Sequence, residues 1–212
     1  MSTDAEPNAI EKADIAAARK LAPHRRDRAV KALGRFGKLG DQPPLFTLGA
    51  LTLAVGVLLQ RRPVIEAGLR VLAAEALATA LKSAVKKRVA RTRPHKMLED
   101  GEYRAEPGEP DGKGEQSFPS GHTAGAVAVA GVLSAFHPPA TVPLYAAAAT
   151  ISLIQAPTAK HYPSDIAAGA AIGGLSAAAV HVLFSRLWPP RPTRLRDRAG
   201  RAALARWRQI AG

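Results

Sequence analysis

From Phe118 to Ala159 the chain carries no aspartate, glutamate, lysine or arginine. Ile166 to Ser185 and Gln42 to Gln60 form two further charge-free runs. A helix at a water boundary needs a polar face. A segment bare of charge all round has none and must be enclosed by protein or lipid. Pro138 and Pro139 break the longest run into two helices, because proline removes a backbone donor and clashes with the preceding turn. Residues 42–60 extend about 28 Å as a helix, close to the thickness of a bilayer core, and Arg61 and Arg62 stop them. Residues 63–82 read as helix but hold Glu66, Arg70 and Glu75. Such charges must face protein, water or each other in lipid, and Glu66 and Arg70, four apart, can pair. These patterns predict five spans, at roughly 43–60, 63–85, 120–136, 140–156 and 164–187. The expected fold class is all-α, an integral membrane helical bundle preceded by an N-terminal amphipathic helix. A soluble bundle of Ala-rich buried helices is the alternative, kept open by a mean hydropathy of -0.06.

The distribution of charge sharpens this. The net charge is +13, which points to anionic partners such as nucleic acid, anionic lipid or phosphate. Lys and Arg crowd into 18–38, 82–96 and 186–208, with nearly uncharged stretches between. Apolar slabs with basic edges suit a membrane, whereas a nucleic-acid surface interleaves aromatics, here 5% of residues. The absence of cysteine removes disulfide and thiolate chemistry. No apolar h-region follows the N-terminus, so no cleavable signal peptide is expected. Residues 8–38, with Ile10, Ile15, Leu21, Val30 and Leu33 among many charges, are predicted to be helix at the membrane surface. The expected organisation is a basic amphipathic arm over 1–41, a membrane domain over 42–188, and a basic tail over 189–212, with Trp188 as an interface anchor. Residues 97–116 read as a Gly/Pro/acidic loop that could close as a lid.

Five spans put the arm and the 86–119 and 157–163 loops on one side of the bilayer. Three short segments then fall together. In the first, Lys86 precedes Arg93-Pro94. The stretch 83–96 reads as a basic helix end terminated by Pro94, which sets Lys86 and Arg93 on one helical face, two turns apart. The second is Pro119-Ser120-Gly121-His122, where Ser120 is a natural N-cap, Gly121 admits an anion to the backbone, and free N–H groups at a helix start suit phosphate. In the third, His161 is followed by Asp165, a spacing at which the carboxylate can reach the imidazole, fix its tautomer and stabilise its cation. Arg offers a bidentate fork to phosphate and Lys a point charge. No further acid, His or Cys cluster suggests a metal, and none is expected.

Together the segments resemble the tripartite signature of the type 2 phosphatidic acid phosphatase superfamily. The resemblance implies a membrane phosphatase that hydrolyses a lipid phosphomonoester or diphosphate without a cofactor. His161 becomes the nucleophile that forms a phosphohistidine, His122 the general acid, and Asp165 the partner of His161. Lys86, Arg93, Ser120 and Gly121 become the phosphate-binding set. One position departs. The family's third segment usually carries Ser-Arg where this chain has Ile154 and Gln155. Losing such a donor costs about 2.7–4 kcal/mol by analogy with oxyanion holes; Lys160 is an auxiliary candidate, and Gln155→Arg is expected to raise turnover. A weakly active or non-catalytic phosphate-lipid binder, a phosphoryl or headgroup transferase, and a basic nucleic-acid-binding protein are the alternatives. The expected partners are a phosphorylated lipid and the bilayer, with no nucleic acid, in a bacterial cytoplasmic membrane. The resemblance favours an extracytoplasmic site, and the basic arm on the same side argues the reverse.

Overall fold

The structure, a computed structural model, describes residues 6–187. The tail from Trp188, with its expected anchor, lies outside the described residues. Helix α1 (Ala9–Leu21) starts at Asn8, whose side chain accepts from the amides of Ile10 and Glu11 while Glu11 accepts from the Asn8 amide, a reciprocal cap. Helix α2 spans Arg28–Gly37, and α3 Gln42–Leu58. Helix α4 covers Arg62–Lys86, entered through Pro63, since proline fits the first turn. Helices α6 (Gly121–Phe136), α7 (Thr141–Leu153) and α8 (Pro163–Leu187) follow the later apolar runs. Up to His181 the described residues form one compact unit; the end of α8, from Val182, falls in a second.

Five helices thus lie where the sequence patterns put them. Helix α8 is long and apolar enough to cross a membrane, with mean hydropathy 1.8, and α3 and α6 are shorter apolar helices. Helix α3 turns Leu51 and Leu58 outward, 60% and 81% exposed, an apolar exterior suited to lipid rather than water. Close backbone approach joins α3 to α4: a Cβ on Gly68 would sit 2.5 Å from the Leu53 nitrogen. At the site end, a Cβ on Gly169 of α8 would sit 2.5 Å from the Ser120 carbonyl. The polar residues of α4 find protein partners: Glu66 pairs with Arg70, and Arg70 lies 3.4 Å from His181 Nδ1.

The stretch 83–96 differs from expectation. Helix α4 ends at Lys86, and Val89–Arg91 form strand β1, antiparallel to β2 (Ala105–Pro107). Pro94 does not end a helix but opens α5 (Pro94–Asp100). The reason is local: proline forces the preceding Arg93 into extended backbone (φ -71°, ψ 150°), and β-branched Val89 favours a strand. Lys86 and Arg93 therefore do not share a helical face. The region 97–116 is likewise not plain loop, since it holds most of α5, β2 and a 3-10 turn over Lys113–Glu115. Its acids Glu106, Asp111 and Glu115 pair with Arg104, and Glu115 also with Lys96.

The arm is built into the protein. Ala18 of α1 packs with Met97 and Tyr162. Asp14 is 3% exposed and contacts Arg91 and Ser164.

Candidate active site

The last turns of α4 place Lys82 and Lys86, four residues apart, on one face. The β1–β2 pair then folds the chain back. Ser117 N–H donates to the Arg91 carbonyl at 3.1 Å and Arg93 N–H to the Gly114 carbonyl at 2.8 Å. This brings Arg93 level with Lys86: Lys86 Nζ and Arg93 Nη2 both donate to the Gln116 carbonyl, at 2.6 and 3.2 Å. The convergence expected from a helix is achieved by a strand and a shared acceptor. Arg93 Nε is enclosed without a protein partner, a donor left for an anion.

Ser120 caps α6 as expected. It is fully buried, its Oγ accepts from the Thr123 amide and hydroxyl, and its own N–H donates to the Asp165 carbonyl at 3.0 Å. That last bond ties the start of α6 to the start of α8. Gly121 opens the helix beside Lys82, since a Cβ there would lie 2.9 Å from Lys82 Nζ.

His161 is 2% exposed. Its Nδ1 sits 2.8 Å from the Ser117 carbonyl and 3.6 Å from Asp165 Oδ2. The Ser117 carbonyl thus fixes the tautomer, with the proton on Nδ1 and the lone pair on Nε2. Asp165 stands beside that bond as the neighbouring charge, within ion-pair distance of the same nitrogen. Its Oδ2 accepts from Ser117 Oγ at 2.6 Å and the Tyr162 amide at 2.8 Å, and its Oδ1 from Arg91 at 2.5 Å. Burial pushes the His161 imidazole down to about 4; Asp165 opposes this, and Arg93 and Lys86 add to it. At neutral pH such a ring is uncharged. Arg91 joins Asp165 to Asp14, with Nη2 2.8 Å from Asp14 Oδ2, and its guanidinium lies 4.5 Å from the Tyr162 ring centre. Burial works against its charge, but Asp165 and Asp14 push its pKa up.

The three segments meet at one cavity of about 170 Å³, lined by Gly40, Asp41, Gln42, Lys82, Lys86, Arg93, Gly121, His122 and His161. The two imidazole rings are 6.2 Å apart, centre to centre. No residue of 97–116 lines it. Neither do Gln155 and Lys160. Gln155 is 1% exposed, and its Nε2 donates to the Ile151 carbonyl at 2.7 Å. Lys160 is half-buried. Lys82 and Asp41 were outside the expected set. Lys82 was detectable as a second lysine one turn before Lys86; Asp41 carried no local signal. Among the described residues no group of His, Asp and Glu is arranged to hold a metal ion.

The described residues therefore make a mostly helical protein with two histidines and three cations around one small cavity. The family comparison gives this arrangement its place: the chain belongs to the PAP2 superfamily, whose model matches residues 67–189, more than half its length. Among solved structures it is similar to Aquifex aeolicus LpxE, with TM-score 0.58 and 24% identity over 79% of this chain and 94% of that one. It is also similar to a transmembrane PAP2-type phosphatidylglycerolphosphate phosphatase from Bacillus subtilis, with TM-score 0.64 and 19% identity over 88% and 91%. At these identities the likeness is one of fold. No curated protein matches the chain.

Proposed function

We propose that the protein is a membrane phosphatase that removes phosphate from a lipid phosphomonoester or diphosphate through a phosphohistidine on His161, in a bacterial cytoplasmic membrane with five spans. The observation that carries this reading is the meeting of His122, His161, Lys82, Lys86 and Arg93 at one cavity. The transferring phosphoryl group gathers charge on its equatorial oxygens. Lys82, Lys86, Arg93 and the free amides at the start of α6 are the groups that neutralise it. His161 Nε2 attacks phosphorus, with the Nδ1 proton held on the Ser117 carbonyl. His122 protonates the leaving oxygen and then takes a proton from the water that hydrolyses the intermediate. Ser120 orders the start of α6, and Asp165 stabilises the charge that develops on His161.

An apolar cavity of about 310 Å³ favours a lipid over a soluble ester. Leu39, Leu45, Leu48, Val129, Leu133 and Ile151 are among its lining residues. Leu39 adjoins Gly40, which lines the polar cavity, so a headgroup and its hydrocarbon tail have neighbouring places.

The test is phosphate release by purified protein from phosphatidic acid, phosphatidylglycerol phosphate and an isoprenyl diphosphate. The expected result is turnover of at least one substrate, abolished in His161→Ala. Turnover that survives His161→Ala sinks the phosphohistidine, and absence of turnover on all three leaves the binding-protein alternative standing.

A further inference from the structure

Asp41 belongs to none of the three signature segments, yet it touches the proposed general acid. It stands at the N-cap of α3, where an aspartate normally accepts from the amides of the second and third helical residues. Here those residues are Pro43 and Pro44, which have no N–H to give. The carboxylate makes no capping bond. Its Oδ1 lies instead 2.7 Å from His122 Nε2. The ring N–H is not aligned on that oxygen, and the Asp41 side chain is 46% exposed, which leaves the carboxylate room to turn. Gly40 sets the approach: a Cβ there would meet Ile151 at 2.5 Å and the His122 carbonyl at 3.1 Å. The other charged or titratable groups lining the cavity are Lys82, Lys86, Arg93 and His161, and Lys160 stands close enough to feel Asp41. Among the described residues that line the cavity, Asp41 is the one carboxylate on a cationic wall.

We propose that Asp41 is a positioning residue for His122, an inference that rests on the phosphatase reading above. Its carboxylate accepts from Nε2–H and holds that proton in place. Nδ1 is then the atom that exchanges a proton with the reacting groups, by the same logic that orients the base of a hydrolytic triad. In the first step, with His122 protonated on both ring nitrogens, the bond from phosphorus to the leaving oxygen breaks as His161 Nε2 bonds to phosphorus, and the leaving oxygen takes the Nδ1 proton of His122. In the second step water bonds to phosphorus and gives a proton back to Nδ1. The P–N bond breaks and inorganic phosphate departs. The junction between the N-terminal arm and α3 thereby takes part in catalysis.

The test exploits the leaving group. A lipid alkoxide needs a proton as it departs, whereas 4-nitrophenolate does not. Wild type, Asp41→Asn, Asp41→Glu and His161→Ala are compared on phosphatidic acid in mixed micelles and on 4-nitrophenyl phosphate. General acids contribute about 10²–10⁴-fold, so Asp41→Asn is expected to lose at least about 10-fold in kcat on phosphatidic acid. On the aryl ester it stays within about threefold, and Asp41→Glu recovers most of the lipid rate. Equal losses on both substrates, or no loss on either, overturn the role of Asp41. Thermal unfolding monitors integrity; should the Asn variant unfold, Asp41→Ser, which is smaller and also uncharged, repeats the comparison. If His161→Ala matches wild type, the underlying phosphatase reading has failed instead, whatever Asp41 does.

Discussion

Replacing Arg91 by methionine tests how the arm, β1 and α8 hold the site together. Arg91 is 5% exposed and stands between two buried carboxylates, Asp14 at 3% and Asp165 fully enclosed. It donates to Asp165 Oδ1 at 2.5 Å, Ser164 Oγ at 2.8 Å, Asp14 Oδ2 at 2.8 Å and Tyr103 Oη at 3.0 Å. Methionine keeps much of the apolar stem and removes the charge. Both carboxylates are then buried without their cation, and breaking one buried pair by removing a partner costs about 3–5 kcal/mol. The two losses share a residue and do not simply add, so the same range serves for the triad. At about 2–4 °C per kcal/mol for a chain of this size, the apparent Tm falls by about 6–20 °C.

The assay is thermal unfolding of wild type and variants in one detergent at one scan rate, because membrane proteins often unfold irreversibly. Arg91→Lys keeps the charge but not the fork that spans two acids, and is expected to fall between. Adding Asp14→Asn to Arg91→Met removes one uncompensated charge and is expected to recover part of the loss. An Arg91→Met protein that melts within about 2 °C of wild type refutes the buried triad, and a double variant no better than the single refutes the assignment of the cost to stranded charge.

Lys82→Met is expected to lower kcat/KM by about 10²–10³, the scale of one lost oxyanion donor, measured on whichever lipid phosphate turns over. Gln155→Arg, expected from the sequence to raise turnover, is now expected to leave it unchanged and to lower Tm, because Gln155 is enclosed away from the cavity; a clear rise in rate refutes this. Gly121→Ala displaces the flexible end of Lys82, so activity should fall several-fold with Tm nearly constant, whereas Gly169→Ala meets the Ser120 carbonyl and should cost about 1–3 kcal/mol of stability. Because burial depresses His161, the unfolded chain binds more protons than the folded one between about pH 6.5 and 4. Stability present above that window is lost as pH falls through it, by about 3 kcal/mol, and a His161→Gln variant should show a flatter Tm–pH curve.

The elements that sequence alone located are those set by local rules. Charge-free runs marked α3, α6, α7 and α8, because no tertiary contact is needed to know that such a segment cannot face water. Ser120 was legible as a cap and Glu66–Arg70 as a helical pair, since both depend on spacing within one element. The failures share the opposite property. Residues 83–96 are rich in helix formers, and what interrupts the helix with a strand at 89–91 is pairing with 105–107 together with the constraint Pro94 places on Arg93. Asp165 does lie 3.6 Å from His161 Nδ1, as its spacing allows, but the other groups that hold its oxygens, Ser117, Tyr162 and Arg91, come from three separate parts of the chain and gave no local signal.

The same distinction explains the arm. Asp14 and Asp41 look like ordinary acids in a basic amphipathic segment, and neither has a local partner of motif grade. Each becomes informative only when its expected local use fails. Asp14 is 3% exposed, which is untenable for a surface acid unless a cation comes to it, and Arg91 does. Asp41 caps a helix whose Pro43 and Pro44 cannot be capped, so its carboxylate is free for His122. One acid therefore supports the His161 side of the site through Arg91 and Asp165, and the other the His122 side directly. Removing the arm should damage both imidazoles together, an effect that a segment serving merely as a membrane-surface anchor could not produce.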